Sequence, residues 1–525
     1  MIQSSSPSEN IKKGIIPEPT DVFRDPIHGL IKVYPWEKAL IETPEFQRLR
    51  RIHQLSMTNL VYHGAEHSRF GHSIGVMHIA GRIMDHLRHF EPLASLKEEE
   101  FFQKKALVRM AGLLHDLGHG CYSHIGENIK IYPDLLDPLS NQTASGHEAY
   151  TRCIIKERLE AVITKYWNNE EYYMVPHILM ILNQSSDDAT YRFFDDIISG
   201  QLDCDKMDYL LRDSYYCGVE YGVYDLDKLI DSLRVAEING TCVLAISQNG
   251  IQAVEAFVLA RYWMFIQVYF HKYRRLFDYY LSSFTKELLT IEYDKTGQYP
   301  SDLEEYLGFD DILLYEKIKE YALIRKPKEE QQRICYYAKR LYTRTHHKAV
   351  FDPPYVHYNN YDTSGTDDYK RLNYVKKQLK SYLAKLSEEK QNMVHIDLAA
   401  GSSTKQYFDV KMYNEEQDPD YAQGLKDQEM IAIPVISKHD GTVRPIQHYS
   451  FTLRSISDRK ISILRIYAEE EMLEDVQKKC SEWFGPEYDT VIQEYVGLEQ
   501  AIAGREKELE ALKEQRKALE HTLEP

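Results

Sequence analysis

The stretch GLLHDLGHGCYSH, residues 112 to 124, supplies three histidines and an aspartate within ten residues, directly after the apolar helical run Leu107, Met110, Leu113 and Leu114. His115 and Asp116 are adjacent and cannot share one helix face, but both can reach one metal at a helix end that opens on a cavity. Leu117-Gly118-His119-Gly120 is expected to end the helix there. A neutral imidazole and a carboxylate suit Zn, Fe, Mn, Ni or Co alike. Two ligands make a weak site, so the rest must come from elsewhere. His72 opens an amphipathic helix in RFGHSIGV, with apolar positions Ile74, Met77, Ile79, Ile83 and Leu87. Asp205 lies in LDCDKMDYLLRD, where Asp205, Tyr209 and Asp213 recur every four positions and line one helix face. His72, His115, Asp116 and Asp205 thus form a candidate ligand set with positions left open for water and substrate.

Composition fixes the setting. The chain has 525 residues, 43% hydrophobic and 28% charged, as a soluble globular protein does. No run approaches the length of a spanning helix, and MIQSSSPSEN lacks the features of a signal peptide, so a cytoplasmic location is expected. The seven cysteines are scattered without CxxC spacing and read as reduced, mostly buried thiols. A net charge of -17 argues against strong nucleic-acid binding, which relies on a basic surface. It does not exclude a phosphorylated small molecule, because a local cluster of cations outweighs distant, screened charge.

The pattern predicts a mainly α chain: a disordered N-terminus (1–20), a helical core (21–290), a smaller α+β lobe (291–485) and a C-terminal helix or short coiled coil (486–525). FDPPYVHYNNYDTSGTDD (351 to 368) reads as a long loop. MIAIPVIS (430 to 437) and ISILRIYA (461 to 468) read as strands of the C-terminal lobe. Leu498, Ile502, Leu509, Leu512, Leu519 and Leu523 carry the spacing of the terminal helix.

VFRDPIHG (22 to 29), TPEFQRLRRIHQL (43 to 55), HSRFGHSIGV (67 to 76), AGLLHDLGHG (111 to 120), LDCDKMDYLLRD (202 to 213) and VYFHKYRR (268 to 275) together resemble the HD-domain deoxynucleoside triphosphate triphosphohydrolases. The resemblance runs from about residue 21 to 485, weakens after 280 and includes no sterile alpha motif. It implies cleavage of a dNTP at the α-phosphorus to a deoxynucleoside and inorganic triphosphate, with Mg or Mn on the triphosphate. It assigns the metal to His72, His115, Asp116 and Asp205, and phosphate binding to Arg69, Lys206 and Arg261. Tyr209 and Asp213 match positions at the sugar 3'-hydroxyl. Gln54 and Leu55 match residues near the base and sugar, and Tyr269 matches the aromatic on the deoxyribose, where a close-packed ring disfavours a 2'-hydroxyl.

His124 matches the family's candidate acid for the leaving 5'-oxygen, with Glu127 able to orient it. His119 and His147 match positions near the phosphates, although His147 before Glu148 at a helix start equally suits a cap. His53, His63, His67, His78, His86 and His89 read as ordinary surface or core histidines. Tyrosine is abundant, at 40 residues, without an evident reason.

The vertebrate member of the family binds an effector nucleotide at a subunit interface through a basic residue and an Asn ahead of DPIHG and an acid ahead of the TP. Here Asp21, Arg24 and Glu42 stand at those places, with Arg50 and Gln54 retained. An allosteric site at Arg24, Glu42 and Arg50 is therefore expected, without a guanine-specific activator being assumed. The resemblance also implies a homo-oligomer, a tetramer, and a role in lowering dNTP pools, including defence against phage. Two rival readings are another HD phosphohydrolase, such as a nucleotidase or cyclic-nucleotide phosphodiesterase, and a catalytically silent regulatory protein.

Overall fold

The computed structural model describes residues 17–123, 129, 131–169, 172–293, 296–352, 356–359, 377–387, 390–391, 393–402, 433–457 and 459–484. The expected N-terminal disorder over 1–16 and the C-terminal helix over 486–525 lie outside them. The described chain is mainly α-helical with small sheets. Two compact units are present, one from the described residues of Met1–Thr345 and Ser403–Ser457, the other from those of His346–Ser402 and Asp458–Pro525.

The first unit opens on the antiparallel hairpin β1 (Asp21–Asp25) and β2 (Gly29–Val33). Helices α1 (Arg69–Leu87) and α2 (Glu98–Leu114) form its centre. Their periodic apolar residues are buried: Ile74, Met77, Ile79, Ile83 and Leu87 on α1, Leu107, Met110, Leu113 and Leu114 on α2. Gly112 lets the two helices approach closely, since a Cβ there would meet Val76 Cγ1 at 3.3 Å. Three glutamates in the first turn of α2 complement the positive end of its dipole. Helix α3 (His147–Ile154) follows, then α4 (Cys204–Cys217), which is capped at both ends. Asp203 accepts from the Lys206 N–H at 2.7 Å, and Gly218 closes the helix at φ +69°, a conformation that a Cβ disfavours. Helix α5 (Ile251–Met264) runs into a π-helical turn, Phe265–Tyr269.

Four features differ from the sequence expectations, the last of them in the second unit. The first unit extends beyond residue 290 to Thr345, because Tyr280 and Phe284 of the helix Lys272–Glu292 pack on Tyr337 and Tyr321. The helical core also contains a β-hairpin, Leu233–Ile238 with Thr241–Ser247, turned by Asn239 (φ +51°) and Gly240 (φ +80°). Third, the two late strands do not share a lobe. Pro434–Ile436 pairs in parallel with Thr241–Ser247 in the first unit, whereas Arg459–Ala468 is the central strand of the second. Alternation and β-branching identify a strand but not its partner.

The second unit is an antiparallel sheet in which Arg459–Ala468 pairs with Val356–Asn359, Val394–Ser402 and Lys348–Phe351. Val356–Asn359, an edge strand, corrects part of the long loop expected over 351–368. Leu379, Val394, Ile466 and Val476 form the core of this unit, Val476 coming from the helix Leu473–Phe484. Among the described residues no single helix is long and apolar enough to cross a membrane. All seven cysteines are free thiols, six of them buried.

Candidate metal centre

Helix α2 ends at Leu114, so His115 sits at its C-cap and Asp116 in the turn beyond. His72 is one turn into α1, and Asp205 is in the first turn of α4. One ligand atom from each of His72, His115 and Asp205 lies within 4.8 Å of the others. His72 Nε2 is 3.1 Å from Asp205 Oδ1 and 3.5 Å from Asp116 Oδ2, and His115 Nε2 is 3.2 Å from Asp116 Oδ1. None of the three approaches has hydrogen-bond alignment, so both Nε2 atoms are buried without a hydrogen-bond partner among the described residues.

The chemistry of this set fits a divalent cation. The outer nitrogen of each ring is already committed: His115 Nδ1 lies 2.8 Å from the Gly112 carbonyl, and His72 Nδ1 lies 2.8 Å from Asp208 Oδ2. Both contacts place the proton on Nδ1, which leaves the Nε2 lone pairs aimed at the cluster, as in ligating histidines. Burial by itself would lower His72, yet Asp205, Asp208 and Asp116 push it up to about 10. The same negative field attracts a metal ion. Burial would raise Asp116 and Asp205, but Arg69 with His115 and His119 holds the former, and His115 with His72 the latter, well below the carboxylate range. Both are anionic at neutral pH.

Arg69 ion-pairs with Asp116 Oδ2, and its Nε donates to Ser123 Oγ at 2.7 Å. His119 Nε2 is 3.3 Å from Asp116 Oδ1, and its ring stacks on His147 at 3.8 Å. Burial, Arg69 and His147 together hold His119 well below the usual imidazole range, so it is neutral. His147 is the first residue of α3. Lys206 Nζ donates to the Gly200 carbonyl at 2.9 Å and pairs with Asp203, while the Arg261 guanidinium lies 5.1 Å from the Phe265 ring centroid. Tyr209 faces Tyr269 edge-on at 6.3 Å, and the Tyr269 hydroxyl donates to Asp213 Oδ2 at 2.7 Å. Gln54 and Leu55 are buried. Arg24, Glu42 and Arg50 are exposed, Arg50 stacked 3.5 Å over Phe70. His124 and Glu127 lie outside the described residues.

Several residues around this centre were not singled out from the sequence. Asp208 is fully buried and binds His72, His28 (2.6 Å) and Arg212 (2.7 and 2.9 Å), and Arg212 in turn binds Asp25 at 2.9 Å. The signal was present in the motifs, as the i,i+4 pair Asp208/Arg212 and the polar Asp25 and His28 in an otherwise apolar hairpin turn. A second group fastens the loop after Asp116. Tyr306 OH donates to the Gly118 carbonyl (2.6 Å), Arg48 to the His119 carbonyl (2.8 Å), and the Gly118 and Gly120 N–H groups donate to Thr151 Oγ1 (2.9 Å) and Tyr132 OH (3.1 Å). Tyr132, Tyr150, Tyr299 and Tyr306 form one aromatic cluster beneath that loop, which accounts for some of the chain's tyrosine.

A helical unit that gathers His, His-Asp and Asp from three helices around one cation-sized space defines the class of HD-domain phosphohydrolases. The chain carries an HD domain with its companion region: the HD domain matches residues 69–174, and the HD associated region matches 224–417. An uncharacterized protein of Bacillus subtilis, YwfO, is 37% identical over 274 residues, 48% of this chain and 52% of its own. The deoxynucleoside triphosphate triphosphohydrolase SAMHD1 homolog of Dictyostelium discoideum is 30% identical over 296 residues, 56% of this chain and 54% of its own. The chain spans about half the length of these curated relatives. A solved structure of a hypothetical protein from Aquifex aeolicus is 28% identical at a TM-score of 0.63, covering 88% of this chain and 99% of that one.

Proposed function

We propose that the chain is a metal-dependent dNTP triphosphohydrolase, releasing a deoxynucleoside and inorganic triphosphate. The observation that carries this reading is the layout of α4. Asp205 stands at the metal cluster, Asp213 holds the hydroxyl of Tyr269 two turns on, and about 12 Å of helix separates them, room for a phosphate and a sugar. A metal that only held the fold would need no sugar-sized recognition group on the same face. The dNTPase name carried by relatives of 30–34% identity supports the same reading.

His72, His115 and Asp205, with Asp116 beside them, would hold the metal, which when bound lowers the pKa of water and polarises a phosphoryl oxygen. Arg69 sets a guanidinium beside Asp116, where it can neutralise the α-phosphate and its developing charge. Neutral His119 can donate a hydrogen bond to a phosphate oxygen without adding a charge. Lys206 and Arg261 supply further cations toward the triphosphate. In this reading His124, oriented by Glu127, would be the acid for the 5'-oxygen, and Arg24, Glu42 and Arg50 would bind an effector nucleotide on a subunit interface of a homo-oligomer.

The test is incubation of the purified chain with each dNTP and Mn or Mg, with and without added nucleotides, and chromatography of the products. Triphosphate with deoxynucleoside is the expected result. Orthophosphate or a monophosphate alone would reassign the chain to another HD phosphohydrolase, and no turnover of any nucleotide would reject the enzymatic reading. Lowered cellular dNTP pools on overexpression are expected as well, and an active enzyme with unchanged pools would reject the role in pool control and phage defence.

A further inference from the structure

His67 reads from the sequence as an ordinary histidine, but its side chain is 3% exposed and its Nε2 lies 2.8 Å from Asp213 Oδ1. A carboxylate only accepts, so Nε2 carries the shared hydrogen. The other oxygen of the same carboxylate accepts from Tyr269 OH at 2.7 Å. Asp213 is therefore a bridge between an imidazole and a phenol, and each of its oxygens keeps a lone pair for one more donor. His67 is itself fixed, stacked on Tyr216 at 4.5 Å.

Two further atoms mark the ligand's chemistry. In the tautomer with the hydrogen on Nε2, His67 Nδ1 is an acceptor, and it is buried without a hydrogen-bond partner among the described residues. The same holds for Gln54 Oε1. The two residues are joined directly, the Gln54 N–H donating to the His67 carbonyl at 3.0 Å. Buried acceptors left unpaired are unfavourable, so this corner suits a ligand that brings hydroxyl or amino hydrogens, as a nucleoside does.

We propose that His67 is a positioning residue for sugar selection: by holding Asp213 it fixes the Tyr269 ring, and the fixed ring excludes a 2'-hydroxyl. The inference rests on the dNTPase reading above. Without His67, Asp213 turns to other donors, the Tyr269 hydroxyl loses its anchor, and the ring gains the freedom to make room for ribose.

The experiment compares kcat/KM for a dNTP and its ribonucleotide in the wild type, His67→Ala, His67→Gln, Tyr269→Phe and the double variant His67→Ala/Tyr269→Phe. Both single losses should lower the dNTP-to-rNTP ratio by about tenfold, the scale of a lost shape discrimination. The double variant should fall no further than the larger single, because both changes cut one bridge. His67→Gln, which keeps an N–H, should regain part of the ratio. Tyr269→Phe removes one oxygen and keeps the ring's volume, so it guards against a His67 variant that misfolds. Damage to the fold alone would depress both substrates and leave the ratio unchanged. An unchanged ratio in His67→Ala or Tyr269→Phe that still hydrolyses the dNTP overturns the inference. A wild type that hydrolyses neither nucleotide rejects the functional reading itself, a separate and recognisable result.

Discussion

Two carboxylates three residues apart on α4 have opposite surroundings. Asp208 is wholly buried and every contact it makes is a good hydrogen bond, to His28, His72 and Arg212. Asp205, its side chain 33% exposed, faces two imidazole nitrogens that it does not satisfy. His72 stands between them, its Nδ1 on the satisfied side and its Nε2 on the other. Buried polar atoms in native proteins are nearly always paired, so a cluster of unpaired ones next to a fully paired network marks where a ligand belongs. One side of the ring is framework and the other is reagent.

Breaking the reagent side should have the largest effect. The double change His115→Ala with Asp116→Ala is expected to abolish turnover and bound metal, read by elemental analysis, while the helical CD signal stays near wild type. Retained activity would refute the ligand assignment. On the framework side, Asp208→Asn should keep the fold but misdirect His72, weakening metal affinity by about 10–100-fold in calorimetric titration. Wild-type affinity would mean that the network does not aim the ligand.

Gly75→Ala sharpens the contrast sterically, because its Cβ would fall 1.9 Å from Asp208 Oδ1. The gain in helix propensity, about 1 kcal/mol, is outweighed by an overpacking cost of about 1–3 kcal/mol or more, so Tm should drop. Gly71→Ala, whose Cβ meets Arg212 Nη1 at 3.3 Å, should leave Tm nearly unchanged.

The smallest effect concerns pH. His78, beside His28 on the framework side, is lowered to about 4 by burial and then by His28, Arg109 and Arg82. The unfolded chain, with His near 6.5, binds this proton first, so the stability it contributes is full above about pH 6.5 and is lost as pH falls toward about 4. A His78→Asn variant should therefore show a smaller drop in urea midpoint between about pH 7 and about pH 5 than the wild type. An equal drop would place the acid sensitivity elsewhere.

The helices and the convergence of His72, His115 and Asp205 were legible because 3.6-residue periodicity and ligand chemistry are local properties. Leu107, Met110, Leu113 and Leu114 announced α2, and the glycines after Asp116 announced its end near Leu114. What escaped were partners. The identity of the carboxylate behind His72, the hydrogen bond from His67 to Asp213, and the pairing of Val435 with Ile246 all join residues more than a hundred positions apart, and no local pattern records that closure. The hairpin at Asn239-Gly240 is different, since its turn signal was there to be read and the surrounding helical pattern obscured it.

The tyrosine cluster under the histidine loop has one more implication. Burial raises the hydroxyls of Tyr150, Tyr299 and Tyr306 above their ordinary value, so they stay protonated at any pH an organism's interior reaches. Tyr306 thus remains a donor to the Gly118 carbonyl at acidic and alkaline pH alike. The groups that seat the loop keep one protonation state across the range in which its imidazoles can change theirs, so a pH profile of this protein reports on the histidines and not on their mounting.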